Sequence, residues 1–398
     1  MDGEATGLAH AQEILDRYKM LEASEKQSFF EEVLNRFGTE DDNLQKAIAN
    51  WQKSQDESSA RRLHFASEPR SQNLFRRLNQ VPEATLTLVE MRSDLLSMLR
   101  DMPDLKELDQ DFAHLFASWF NRGFLELQQI DWTTSAEVLE KIIAYEAVHE
   151  INGWDDLRQR VAAPDRRLYG YFHPALGMEP LIFVEVALTD RVPSTIKSIL
   201  DKDRPELSPE KATTAVFYSI SNCQKGLKGI SFGNFLIKQV VETLRQEFPN
   251  LETFITLSPV PGFRKWAMKQ LDDPDTFLTS HDLDLINTLA AAESDEAVLD
   301  IAKGNQNLAR LAVKYLVKAR AQNGGVVDLV ARFHLGNGAR LENIHLLGDI
   351  TSNGISNSWG CMVNYQYHVS EIERNHEAYV NNDEIIVSQN ISHLLSAG

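Results

Sequence analysis

Residues 212–258 read ATTAVFYSISNCQKGLKGISFGNFLIKQVVETLRQEFPNLETFITLS, and four patterns follow one another within them. ATTAVFYSIS is rich in β-branched and aromatic residues and predicts a strand. NCQKGLKGISFG is a loop with three glycines. NFLIKQVVETLRQEF repeats its apolar residues at spacings of three and four until Pro249 stops it, which predicts a helix. LETFITLS predicts a second strand. Strand, loop, helix, strand is a βαβ unit, whose parallel strands require a right-handed crossover.

Toward the N-terminus, RRLYGYFH and EPLIFVEVALT flank a Pro-Ala-Leu-Gly turn and predict an antiparallel pair. Toward the C-terminus, about 274–322 is helical again and reads as an insertion. DLVARFHLGNGARLENIHLLGD and the strand-like GCMVNYQYHV follow it. From Leu8 to about Glu150 the period is helical, in segments such as LAHAQEILDRYKML, NLQKAIANWQKS and FAHLFASWFN. The expected class is therefore α+β, with a helical domain over 1–152 and a mixed α/β domain over 153–398. The amphipathic surplus of the helical domain predicts packing on a partner subunit as well as on itself.

A chain of 398 residues, 43% hydrophobic and 25% charged, is long enough for two or three cores. A net charge of -18 opposes non-specific binding to nucleic acid or to an anionic membrane, so an anionic ligand needs a local basic pocket. Cys223 and Cys361 are too few for a disulfide framework and fit a reducing compartment. The acidic start MDGEATGLAHAQEIL lacks the features of a secretory or transit leader, and no apolar run is long enough to span a membrane. A cytoplasmic protein is expected.

In the loop, Gly226, Gly229 and Gly233 allow close approach of main-chain N–H groups to a ligand at a helix start, with Lys225 and Lys228 adding charge. A phosphate-bearing ligand suits this, although three glycines equally suit tight packing. The Walker spacing and G-x-G-x-x-G are both absent. Gly229 to Gly233 matches G-x-S-x-G, but a nucleophile elbow needs its serine on a sharp turn immediately after a strand. Here nine residues separate Ser231 from the strand end, so the match is rejected. Ser258, in TLSPVPGFRKW, precedes two prolines that stiffen its loop.

Taken in order, the QKGLKG loop, LSPVPGF, FHLGNGA and NYQY resemble the malonyl-CoA decarboxylase family from about Tyr145 to the end. The early helices resemble that family's helical oligomerisation domain more loosely. The resemblance implies a catalytic domain of the Gcn5-related N-acetyltransferase (GNAT) fold that converts malonyl-CoA to acetyl-CoA and carbon dioxide without metal or organic cofactor. It implies a homo-oligomer, dimer or tetramer, through the helical domain. The family's catalytic serine and histidine fall on Ser258 and His334. Pocket positions fall on Ser219 and Tyr367, and the pyrophosphate loop on Lys228, Gly229, Ile230, Ser231, Phe232, Gly233 and Asn234. Ser231 stands where some animal members carry an acid. Ser258 would hydrogen-bond the malonyl carboxylate that leaves or shuttle its proton. Asp328 would cap a short helix DLVARF with His334 near its C-terminus, where the dipole favours an imidazolium that protonates the enolate; Asn337-Gly338 would end it. Two further readings are acyl transfer to an amine and a non-catalytic CoA-binding scaffold. His173, His281, His345 and His368 carry no assigned role.

Overall fold

The computed structural model describes residues 4–230, 236–322 and 324–396. The chain groups into two units: one comprises Met1–Glu126, Tyr171–Ile182 and Asn222–Gly233, and the other Leu127–Gly170, Phe183–Ser221 and Asn234–Gly398.

The first unit holds helices α1 (Glu4–Lys19), α2 (Ala23–Arg36), α3 (Asp41–Ser54), α4 (Glu57–Ser67), α5 (Arg70–Leu78), α6 (Ala84–Met98) and α7 (Lys106–Trp119). Their starts follow local chemistry: Asp56 accepts the Ser59 N–H while Ser59 Oγ accepts the Asp56 N–H, a reciprocal cap for α4. The core is aromatic. Phe75 stacks on Phe112 with centroids 4.0 Å apart, and Phe116 and Phe120 continue the row. The buried Asp111 takes hydrogen bonds from Ser71 and Gln72, so its charge is not left bare.

The glycine-rich loop packs within this unit. A Cβ on Gly226 would lie 1.8 Å from Val89 O on α6, so only glycine fits there. Arg92 on α6 is buried, pairs with Asp109 at 2.8 Å, and donates to Gly226 O at 2.7 Å and Lys228 O at 3.0 Å. The first glycine thus serves close packing, while Gly229, at φ +80° with open space around it, serves a turn.

The expected α+β architecture continues in the second unit. Strands β1 (Glu126–Ile130), β2 (Arg166–Phe172), β3 (Pro180–Thr189), β4 (Thr214–Asn222), β5 (Thr253–Thr256), β6 (Ser258–Pro259), β7 (Arg340–His345) and β8 (Met362–Gln366) form one sheet in the order β1-β2-β3-β4-β5-β8-β6, with β7 also on β8. Helices α8 (Ala136–Tyr145), α9 (Trp154–Val161) and α10 (Lys197–Leu200) precede β4, and α11 (Leu236–Glu247) links β4 to β5. As the sequence pattern requires, β4 and β5 are parallel, from Thr214↔Thr253 to Phe217↔Thr256. Strand β1 falls in a stretch expected to be helical. Pairing beside β2 satisfies its backbone, a tertiary partner that local period does not reveal.

After β6 come α12 (Phe263–Gln270), α13 (Ser280–Ala290), α14 (Asp295–Ala302), α15 (Gln306–Val317) and α16 (Leu329–Gly336), then β7, α17 (Ser352–Ser358), β8, α18 (Ile372–Asn382) and α19 (Gln389–Ser396). The feature that positions the site is a break in the sheet. Strand β5 meets β8 at Ile255↔Gln366, whereas β6 meets it at Ser258↔Val363. In the gap, side chains replace the ladder: Asn364 Nδ2 donates to Thr256 O at 2.6 Å, and Thr256 Oγ1 accepts the Tyr365 N–H at 3.0 Å. Leu257 turns into the apolar core with Val216, Ile255 and Met362, which leaves Thr256 and Ser258 together on the opposite face.

Candidate active site

Ser258 is buried at the first residue of β6, ahead of the rigid Pro259–Pro261 segment. Its Oγ donates to Thr256 Oγ1 at 2.9 Å and lies 3.2 Å from His334 Nε2. His334 sits in the last turn of α16. That helix begins as the sequence indicates, with Asp328 Oδ1 accepting the Ala331 N–H at 2.8 Å, and ends at Asn337 and Gly338, the latter at φ +80°. The other ring nitrogen, Nδ1, is 2.8 Å from the Tyr367 hydroxyl. Tyr365 stacks on the imidazole at 4.6 Å and Phe333 meets its edge. The Tyr367 N–H bonds to Phe254 O at 2.8 Å, which anchors the phenol just beyond β8.

The expected imidazolium at His334 is corrected here. Complete burial pushes its pKa from 6.5 down to about 3. Among the described residues no carboxylate offsets this desolvation. The charged form therefore loses its hydration, and the dipole of an eight-residue helix returns at most about 2 kcal/mol. His334 is a neutral imidazole with both nitrogens hydrogen-bonded. Burial also drives the Tyr367 phenol well above its ordinary value, so it keeps its proton.

Of the other expected site residues, Ser219 on β4 donates to both oxygens of Glu146, at 2.8 Å each, and neighbours Ser221 at 3.4 Å. Glu146 also accepts the N–H groups of Val148 and His149 at 2.7 Å. Beside it, Glu185 is completely buried, and desolvation raises its pKa to about 8 despite Arg160 Nη1 at 3.3 Å. Lys228, Gly229 and Ile230 belong to the first unit, with Lys228 and Gly229 exposed. Ser231, Phe232, Gly233 and Asn234 lie outside the described residues.

Sequence reasoning passed over Thr256, Asn364, His345, Glu146 and Glu185. Thr256 carried a usable signal: two residues before Ser258 on one strand, it shares that serine's face. His345 Nε2 bonds to Asn364 Oδ1 and so braces the side chain that holds the Thr256 carbonyl. Nothing local marked Glu146 or Glu185.

A serine and a histidine buried together, on an α+β scaffold whose sheet opens at the serine, form a candidate proton-transfer centre. Residues 123–398 match the model for the malonyl-CoA decarboxylase C-terminal domain and residues 37–120 that for its N-terminal domain, and the chain belongs to the malonyl-CoA decarboxylase family. It is 36% identical over 362 residues to the mitochondrial malonyl-CoA decarboxylase of Anser anser anser, covering 84% of this chain and 71% of that one. Among solved structures, the malonyl-CoA decarboxylase of Rhodopseudomonas palustris is 47% identical with TM-score 0.94, covering 99% of this chain and 96% of that one. That of Agrobacterium vitis is 49% identical with TM-score 0.91 over the same shares.

Proposed function

We propose that this enzyme decarboxylates malonyl-CoA to acetyl-CoA and carbon dioxide at Ser258 and His334. The observation that carries the reading is the buried contact of Ser258 Oγ with His334 Nε2 at 3.2 Å, in a chain of this family. Breaking the bond from the α-carbon to the carboxylate sends its electron pair into the thioester as an enolate, and one proton must reach the α-carbon. In our reading Ser258 O–H supplies that proton, Nε2–H of His334 replaces it on Oγ, and solvent restores the imidazole. One C–C bond breaks, one C–H bond forms, and one solvent proton is consumed. A neutral imidazole suffices, because an enolate carbon is far more basic than an imidazolate and neutral histidines serve such intermediates elsewhere. A placed acid of this kind contributes about 10²–10⁴ in rate.

Pure protein incubated with malonyl-CoA in deuterium oxide should yield acetyl-CoA with a single deuterium in its methyl group. Malonyl-CoA recovered intact at micromolar protein would end the reading. We assign the pyrophosphate of CoA to the glycine-rich loop from Lys228 to Asn234, where Lys228 is exposed. We also propose self-association through the helical region, which exposes Met20 and Phe65; light scattering at micromolar concentration tests it. Both cysteines, Cys223 and Cys361, are buried, and the cytoplasm is the compartment we carry forward from the low cysteine count.

A further inference from the structure

Thr256 has no assigned part in the reaction, yet its hydroxyl ends a row of four buried groups. Tyr367 OH lies 2.8 Å from His334 Nδ1, His334 Nε2 lies 3.2 Å from Ser258 Oγ, and Ser258 Oγ lies 2.9 Å from Thr256 Oγ1. We propose that Thr256 is a positioning residue: it accepts the Ser258 proton in the resting site and, with Tyr367 at the far end, orients the row one way, leaving His334 as its Nε2–H tautomer.

Hydrogen bookkeeping leads there. The Tyr367 phenol is 2% exposed and its hydrogen bond is to Nδ1. Were Nδ1 protonated, the phenol oxygen would accept and its own buried proton would lack an acceptor among the described residues, at a cost of about 1–3 kcal/mol. Tyr367 therefore donates to Nδ1. A neutral imidazole that accepts at one nitrogen carries its proton on the other, so Nε2–H donates to Ser258 Oγ. The Ser258 proton must then turn elsewhere, and Thr256 Oγ1 is where it goes. That acceptor is fixed to the sheet: the Tyr365 N–H holds the same oxygen at 3.0 Å, and Asn364, braced by His345, holds the Thr256 carbonyl.

The direction has a chemical consequence. His334 presents Ser258 with a proton rather than a lone pair, so it is not a base for that hydroxyl, and Ser258 is set as a donor instead of a nucleophile. An arriving acyl group takes the O–H that Thr256 held, by rotation about a single bond, with the oxygen already in place. Remove the Thr256 oxygen, and the nearest acceptor for Ser258 becomes Nε2. The Ser258 and Tyr367 protons would then compete for the two ring nitrogens, and the Nδ1–H form, the serine-hydrolase arrangement, would gain population at the expense of the Tyr367 hydrogen bond.

The catalytic meaning rests on the decarboxylase reading, but the test of the tautomer does not. The full chain labelled with ¹⁵N-histidine is examined without substrate, and the His334 signals are found by their loss in His334→Gln. Wild type and Thr256→Ser should show the Nε2–H pattern alone, and the isosteric Thr256→Val should add an Nδ1–H component. With malonyl-CoA, Thr256→Val should lose about tenfold or more in kcat with KM within about threefold, while Thr256→Ser stays within about threefold of wild type. An Nδ1–H signal in the wild type overturns the proposal even if Thr256→Val fails to fold. So does a Thr256→Val protein that shows Nε2–H alone, whatever its rate. A wild type inactive on malonyl-CoA would instead remove the decarboxylase reading.

Discussion

A neutral His334 is the feature from which the most follows, and titration tests it directly. With a folded pKa of about 3, charging the ring at pH 7 costs about 5 kcal/mol, and the imidazolium fraction is on the order of 10⁻⁴. The helix end returns at most about 2 kcal/mol, so burial prevails. The stability linkage has a definite sign. The unfolded chain binds this proton below pH 6.5 and the folded chain only near 3, so the contribution is complete above 6.5 and lost as pH falls through that window. Between pH 6.5 and 5, His334 should account for about 2 kcal/mol of lost stability. Urea melts at both pH values should show His334→Gln losing about that much less than wild type. The His334 ¹⁵N shifts should stay constant from pH 9 to 5, and His334→Ala should lower kcat at least about tenfold with CoA affinity little changed. A His334 titration midpoint near 6.5 would refute the reasoning.

Tyr367→Phe removes the donor to Nδ1 and should lower kcat about tenfold or more with little change in KM, measured by steady-state release of acetyl-CoA. Gly226→Ala forces a Cβ to 1.8 Å from Val89 O and should destabilise by about 1–3 kcal/mol or prevent folding, read by thermal melting. Lys228→Ala should raise KM several-fold at nearly constant kcat if it meets a phosphate, and weaken free CoA in calorimetry alike. Glu185, with a pKa raised to about 8, binds a proton in the folded state that the unfolded state releases above about 4.5. Its contribution is therefore complete below about 4.5 and lost as pH rises from there through 8, and Glu185→Gln should flatten the pH dependence of melting temperature in that window.

How far each part was legible follows from the range of its cause. The βαβ unit was plain because period, glycine and proline act over a few residues, and β4, α11 and β5 fall where those signals put them. Strand β1 was not, because its backbone partners lie on β2, roughly forty residues on. Ser258 and His334 were singled out through motif order. That they meet, 76 positions apart, depends on β6 and α16 converging. Glu146 and Glu185 gave no local signal, since their proximity is made by a helix end and a strand separated in the chain.

By itself, then, the sequence determined the segments, the parallel crossover, the stiff Ser-Pro turn and the chemistry available at each position, all consequences of local sterics and side-chain type. Only the tertiary structure decided protonation and partnership: a histidine that its helix end would charge is held neutral by complete burial. A glycine suited to a phosphate cradle is required by the carbonyl of Val89, and a threonine unremarked in the strand becomes the acceptor for the serine. Desolvation and hydrogen-bond geometry depend on everything within a few ångströms of a group, and most of what lies that close comes from elsewhere in the chain.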